Sequence, residues 1–150
     1  MSADAERVAG TGVRVVEVVQ SLEAGGVEVN LSQRMEHLPP GWNSTVVVFA
    51  DGDPGLERRV AERATLIRWK GGQWRLTPSQ VDFLNTFDAV VVHSPRLTFL
   101  LLSRVPRKLS VPVIVFSHST APSQRPVLLP FVHVALRIVN RRAVGHIAVS

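Results

Sequence analysis

Residues 13–28 read Val13-Arg-Val-Val-Glu-Val-Val-Gln-Ser-Leu-Glu-Ala-Gly-Gly-Val-Glu28. The run from Val13 to Val19 is β-branched with almost no polar break, the pattern of a strand buried on both faces. The pair Gly25-Gly26 ends a loop, and a helix is expected from Val27 to Leu38. Val27, Leu31, Met35 and Leu38 recur at i, i+4, i+8 and i+11, one face of that helix. Pro39-Pro40-Gly41 stops it. A doubly buried strand, a glycine loop and an amphipathic helix, in that order, open an α/β sheet.

The rest of the chain repeats the unit. Thr45 to Ala50 reads as a strand closed by the turn Asp51-Gly-Asp-Pro-Gly55. A short helix over Leu56–Glu62 leads to a strand over Thr65–Trp69, and Gly71-Gly72 marks a loop. Pro78 to Phe87 reads as a helix with Thr77 as its N-cap and Pro78 in its first turn. Ala89–His93 is a strand, and Ser94-Pro95 opens a helix to Lys108. Arg104, Arg107 and Lys108 suit the negative end of its dipole. Val111–Phe116 is a strand, Ser117–Gln124 a polar loop, and Pro126–Arg142 a helix that kinks at Pro130 or starts after it. Ile147–Val149 begins a last strand. Six strands alternating with helices predict an α/β fold, a doubly wound, mostly parallel Rossmann-like sheet. Residues 13–150 form the domain, and residues 1–12 are expected to be a disordered arm. Ligands of such sheets bind beyond the carboxyl ends of the strands. The loops Gln20–Gly26, Asp51–Gly55, His93–Pro95 and Ser117–Gln124 therefore share one functional rim.

Composition narrows the classes. The chain has 150 residues, 45% of them apolar and 19% charged, which excludes disorder as its dominant state. It has no Cys, so disulfides, thiolate metal sites and Cys nucleophiles are all excluded. No apolar run reaches the ~18–20 residues of a membrane span. Met1–Gly12 lacks the basic start and apolar stretch of a signal peptide, so a cytoplasmic protein is expected. All 12 acidic residues lie at or before Asp88, so residues 1–88 carry a net −3 and residues 89–150 a net +8. Either the basic half is a set of solvated helix ends, or it faces an anionic ligand or membrane surface. The basic residues are spread, there is no zinc-finger spacing and no Tyr, and no nucleic-acid partner is expected.

Several chemistries fail on inspection. The loop after the first strand lacks the G-x-G-x-x-G of a dinucleotide site, which leaves Asp51 as an unsupported ribose ligand. No Gly-Lys pair exists for a P-loop, and no G-x-S-x-G for a hydrolase elbow. Asp51-x-Asp53 has the look of a metal-binding pair, but its Asp-Gly-Asp-Pro-Gly setting is more simply a turn. The five His show no H-x-x-x-H spacing. What remains is Gly25-Gly26, which is either a tight turn or a close backbone approach to a phosphate at a helix N-terminus. His93 and His118 stand at strand ends. His93 reads as a satisfied polar residue. His118 lies in Ser117-His-Ser-Thr120, with Arg125 nearby. Those side chains can bond sugar hydroxyls or phosphate oxygens, or simply cap the next helix.

The chain resembles the amino-terminal half of a family-4 glycosyltransferase of the GT-B type. The resemblance rests on the opening stretch quoted above and on Phe87-Asp-Ala-Val-Val-Val-His-Ser-Pro-Arg96. It continues in Val111-Pro-Val-Ile-Val-Phe-Ser-His-Ser119 and Arg142-Ala-Val-Gly-His-Ile-Ala-Val-Ser150. It implies retaining transfer of a sugar from a nucleotide donor to a glycan or lipid-linked acceptor, with no cofactor and no essential metal. It implies that Gly25 and Gly26 approach the donor diphosphate. His118 would stand beside the reacting sugar as the catalytic position. His93, Ser94, Ser117, Ser119, Thr120 and Arg125 would line the acceptor side. The family's donor domain does not follow within these residues, so the piece is expected to be inactive alone and to need that domain or a separate partner chain. The apolar helices around Leu97–Val105 and Val127–Val139 either pack on the sheet or touch an anionic membrane. The competing class is a non-catalytic α/β module for a phosphorylated or anionic ligand. A nicotinamide-dependent oxidoreductase is left with fold analogy alone.

Overall fold

A computed structural model of the chain describes residues 12–23, 26–69, 76–93, 109–117 and 145–148. The strands are β1 (Arg14–Val19), β2 (Asn43–Val48), β3 (Thr65–Arg68), β4 (Ala89–Val92), β5 (Val113–Ser117) and β6 (Gly145–Ala148). The helices described are α1 (Gly26–Glu36), α2 (Pro54–Ala61) and α3 (Pro78–Leu84). The strands form one sheet in the order β3-β2-β1-β4-β5-β6, and every pair is parallel. This is the expected Rossmann-like α/β fold. The helices expected over 94–108 and 126–142 lie outside the described residues, as does the arm up to residue 11. Gly12, assigned to that arm, is already half-buried.

The valine-rich strands explain the layers. Strand side chains alternate between faces. Val16 and Val18 join Val47, Val90, Val92, Val113 and Val115 on one face, where Leu84 of α3 packs. Val19, Val46 and Val48 lie on the other, against Leu31 and Met35 of α1 and Leu56 and Val60 of α2. Helices therefore cover both faces. The predicted stripe of α1 is borne out at Leu31 and Met35, which are buried, and at Leu38, which is half-buried. On the α3 face, Phe49, Trp69, Phe83 and Phe87 form a chain of edge-to-face contacts with centroids 5.7, 5.9 and 5.1 Å apart.

Helix α3 starts where expected, whereas α2 starts at Pro54, two residues before the expected Leu56 and inside the expected turn. Thr77 caps α3 in a reciprocal box: its hydroxyl accepts from the Gln80 amide, and its own amide donates to Gln80 Oε1 at 2.8 Å. Asp53 caps α2, accepting from the Leu56 amide at 2.9 Å, with Pro54 in the first turn. Gly41 turns the chain into β2 with φ of +82°, a conformation that favours glycine.

The rim is pinned by backbone. Gln20 O accepts from the amides of Phe49 and Ala50, and Leu22 O accepts from Asp53 N at 2.7 Å. Gly52 lies so close beneath that a Cβ there would meet the Leu22 carbonyl at 2.6 Å. Gly52→Ala should therefore lower stability by about 1–3 kcal/mol, because a rigid backbone must move. In the same urea-unfolding series Ser44→Ala should be neutral or stabilising by up to ~1 kcal/mol. The Ser44 hydroxyl is buried without a hydrogen-bond partner among the described residues.

Candidate functional site

The sheet order reverses between β1 and β4. From β1 the chain moves outward through β2 and β3, then returns to place β4 on the other flank of β1. In sheets of this topology, ligands bind in the crevice at the carboxyl ends of the strands on either side of such a switch point. Helix α1 begins at Gly26, on the segment that follows β1, and a helix N-terminus favours an anion. His93 follows β4 directly and extends its ladder, its amide donating to Val18 O at 3.1 Å.

Beneath the crevice is a buried ionic cluster. Glu17, in the middle of β1, is 2% exposed. Its neighbours across the sheet are Val46 and Val91. The strand period puts it on the α1 face with Val15 and Val19. One carboxylate oxygen, Oε2, accepts from His93 Nε2 at 2.5 Å. The other, Oε1, accepts from Arg34 Nη2 of α1. The His93 ring stacks on Phe116 of β5 at 5.3 Å and 29°. The Arg34 guanidinium lies 4.8 Å from the centre of the same ring. Glu17 thus separates the apolar group Val15, Val91 and Phe116 from the group built on α1 and α2. A carboxylate buried at this depth needs both partners, because its desolvation is costly when uncompensated.

The expected site residues fare differently. His93 is described, and it is buried and engaged by Glu17 rather than lining an open wall. Gly26 is the first residue of α1, one residue before the expected helix start at Val27. Ser117 ends β5. Gly25, Ser94, His118, Ser119, Thr120 and Arg125 lie outside the described residues. Of the Asp51-x-Asp53 pair, Asp53 caps α2, and Asp51 is paired with Arg68. Arg68 also meets Glu57 at 2.6 Å. Among the described residues no group of three His, Asp or Glu could hold a metal ion, and no helix is long and apolar enough to cross a membrane.

Sequence reading missed Glu17 and Arg34. The available signal was the acid itself, because a charge inside a run expected to be buried on both faces requires a partner.

No family model matches the chain, and no curated protein matches it. Among solved structures it is similar to a UDP-N-acetylglucosamine 2-epimerase, with a TM-score of 0.58 and 14% identity. The likeness covers 92% of this chain but 42% of that one, so the chain spans less than half the length of its structural neighbour. At that identity the likeness establishes the Rossmann-like fold.

Glu17→Ala should lower stability by about 3–5 kcal/mol, since it leaves Arg34 and His93 facing a buried gap. Replacing Glu17, Arg34 and His93 together by apolar residues should cost less than the sum of the three single changes. Urea unfolding of the four variants measures both.

Proposed function

We propose that this chain is the acceptor-side Rossmann half of a nucleotide-sugar enzyme, and that the enzyme is a retaining glycosyltransferase of the GT-B type. The observation that carries the reading is the reversal of strand order between β1 and β4, with α1 starting after one strand and His93 at the end of the other. The motif order in residues 13–150 supports it, and so does likeness to a fold that handles UDP-N-acetylglucosamine.

In this reading the first-turn amides of α1, reached through Gly25 and Gly26, face the donor diphosphate. Fixed N–H groups and the helix dipole stabilise the charge that develops on the leaving diphosphate, so the step needs no essential metal on this half. His118, beside the transferred sugar, holds a hydroxyl of donor or acceptor in line. Ser94, Ser117, Ser119, Thr120 and Arg125 contact the acceptor, a glycan or lipid-linked sugar. The net +8 of residues 89–150 favours an anionic acceptor or an anionic membrane face. The donor's nucleotide is held by a second domain, on the same chain or a partner.

A second reading is that the enzyme epimerises the nucleotide sugar rather than transferring it. The named activity of the structural neighbour favours this one. A single experiment separates the two. The protein in its full reading frame is incubated with UDP-N-acetylglucosamine and other UDP-sugars, with and without glycan acceptors, and followed by NMR. Release of UDP with a new glycosidic signal is transfer. New sugar signals with UDP retained are epimerisation. Binding without turnover by any donor leaves the anionic-ligand module.

For transfer, His118→Ala should lower kcat about 100-fold. Gly26→Leu should raise the donor KM about tenfold or more while the protein stays folded. Steady-state kinetics with circular dichroism as the folding control checks both.

A further inference from the structure

We propose that Glu17 is a positioning residue for the switch-point site: its carboxylate ties α1, β1 and the end of β4 into one unit. That unit sets the separation of the two segments that flank the crevice. The ligand belongs to the nucleotide-sugar reading, on which the functional half of the proposal rests. The structural half stands on geometry alone.

Glu17 occupies a position whose neighbours along and across the sheet are valines. Its neighbours on the same face along β1 are Val15 and Val19, both buried. A charge at that position adds direction, which hydrocarbon packing lacks, because hydrogen bonds to a carboxylate weaken steeply off axis. The two oxygens are used separately: Oε1 takes Arg34 from α1, and Oε2 takes His93 from the end of β4. Phe116 closes the set, with the His93 ring 5.3 Å and the Arg34 guanidinium 4.8 Å away. The cluster thus spans α1, β1, β4 and β5.

The location gives this linkage its consequence. His93 stands immediately after the last residue of β4. Arg34 lies in the last turn of α1, the helix that follows β1. A tilt of the His93 ring or a slide of α1 along the sheet changes the distance between those segments. Displacements near 1 Å at supporting residues cost about 10- to 100-fold in rate where a reactant must be aligned.

Glu17→Gln keeps the side chain's size and removes its charge. Three measurements on the full chain decide the matter: urea unfolding, the 15N imidazole spectrum with His93 assigned through a His93→Gln variant, and steady-state kinetics with UDP-N-acetylglucosamine or whichever UDP-sugar turns over. The expected result is a folded variant with shifted His93 ring signals. Its kcat should be about 10- to 100-fold lower with KM changed less than about threefold. If Glu17→Gln does not fold, Arg34→Met takes its place: it removes the half-exposed partner and leaves the Glu17–His93 contact. Its His93 signals should shift as the carboxylate relaxes. Unchanged His93 signals in a folded variant overturn the proposal. Shifted signals with unchanged kinetics overturn it too, reducing the cluster to packing. If the wild-type protein turns over no nucleotide sugar, the nucleotide-sugar reading fails, and the imidazole spectrum still decides whether Glu17 orients His93.

Discussion

A carboxylate in the middle of a parallel sheet has to be answered from within the protein, since water does not reach it. Glu17 is surrounded along β1 and across to β2 and β4 by valines, none of which has a side-chain polar atom. The answer comes from two directions, from Arg34 on the covering helix and from His93 on the neighbouring strand. This requirement fixes more than one contact. It sets the rotation of α1 that turns Arg34 toward the sheet while Leu31 and Met35 stay buried. It also sets the register that brings His93 beside Glu17, and it places the flat aromatic ring of Phe116 against both partners. The remaining core is apolar and would tolerate exchange among residues of like volume. The ionic cluster would not.

Much of the fold is legible in the sequence because its signals are local. The valine runs of β1 and β2 and the stripe of α1 need only a few residues to be read. The Thr77-Pro78 cap and the Asp51–Gly55 turn are likewise complete within five residues. Strand edges move by one to two residues, since pairing partners and not propensity end a strand. The Asp51-x-Asp53 pair is settled by the same local chemistry: Asp53 turns back on its own helix start, and Asp51 finds Arg68 one strand away. The cluster around Glu17 is different. Its members are far apart in sequence, and only the strand order brings them together. An acid at position 17 announces that a partner exists. It does not say that the partner is His93, because the alternation of strands and helices is compatible with more than one order of strands.

The arrangement at the rim follows from the same topology. The loop leaving β1 is bonded to the loop leaving β2 through Gln20 and Leu22, and Gly52 lets the two backbones touch. On that side, the two segments are joined main chain to main chain. The opposite side begins at His93, whose side chain points down into the sheet's α1 face to meet Glu17.

Strand order also has a consequence for synthesis. A chain emerging from its amino end can pair β1, β2 and β3 early, because each crossover is short. The other flank of β1 stays open until β4 has emerged, and Glu17 and His93 are 76 residues apart. During that interval the growing chain exposes the unpaired edge of a valine strand carrying a carboxylate that only Arg34 answers. An edge of bare valine would invite pairing with another chain, and a charge in its middle opposes such pairing. The residue that becomes the most deeply buried acid of the finished sheet thus serves first as a guard on the strand's open side, until the strand that belongs there arrives.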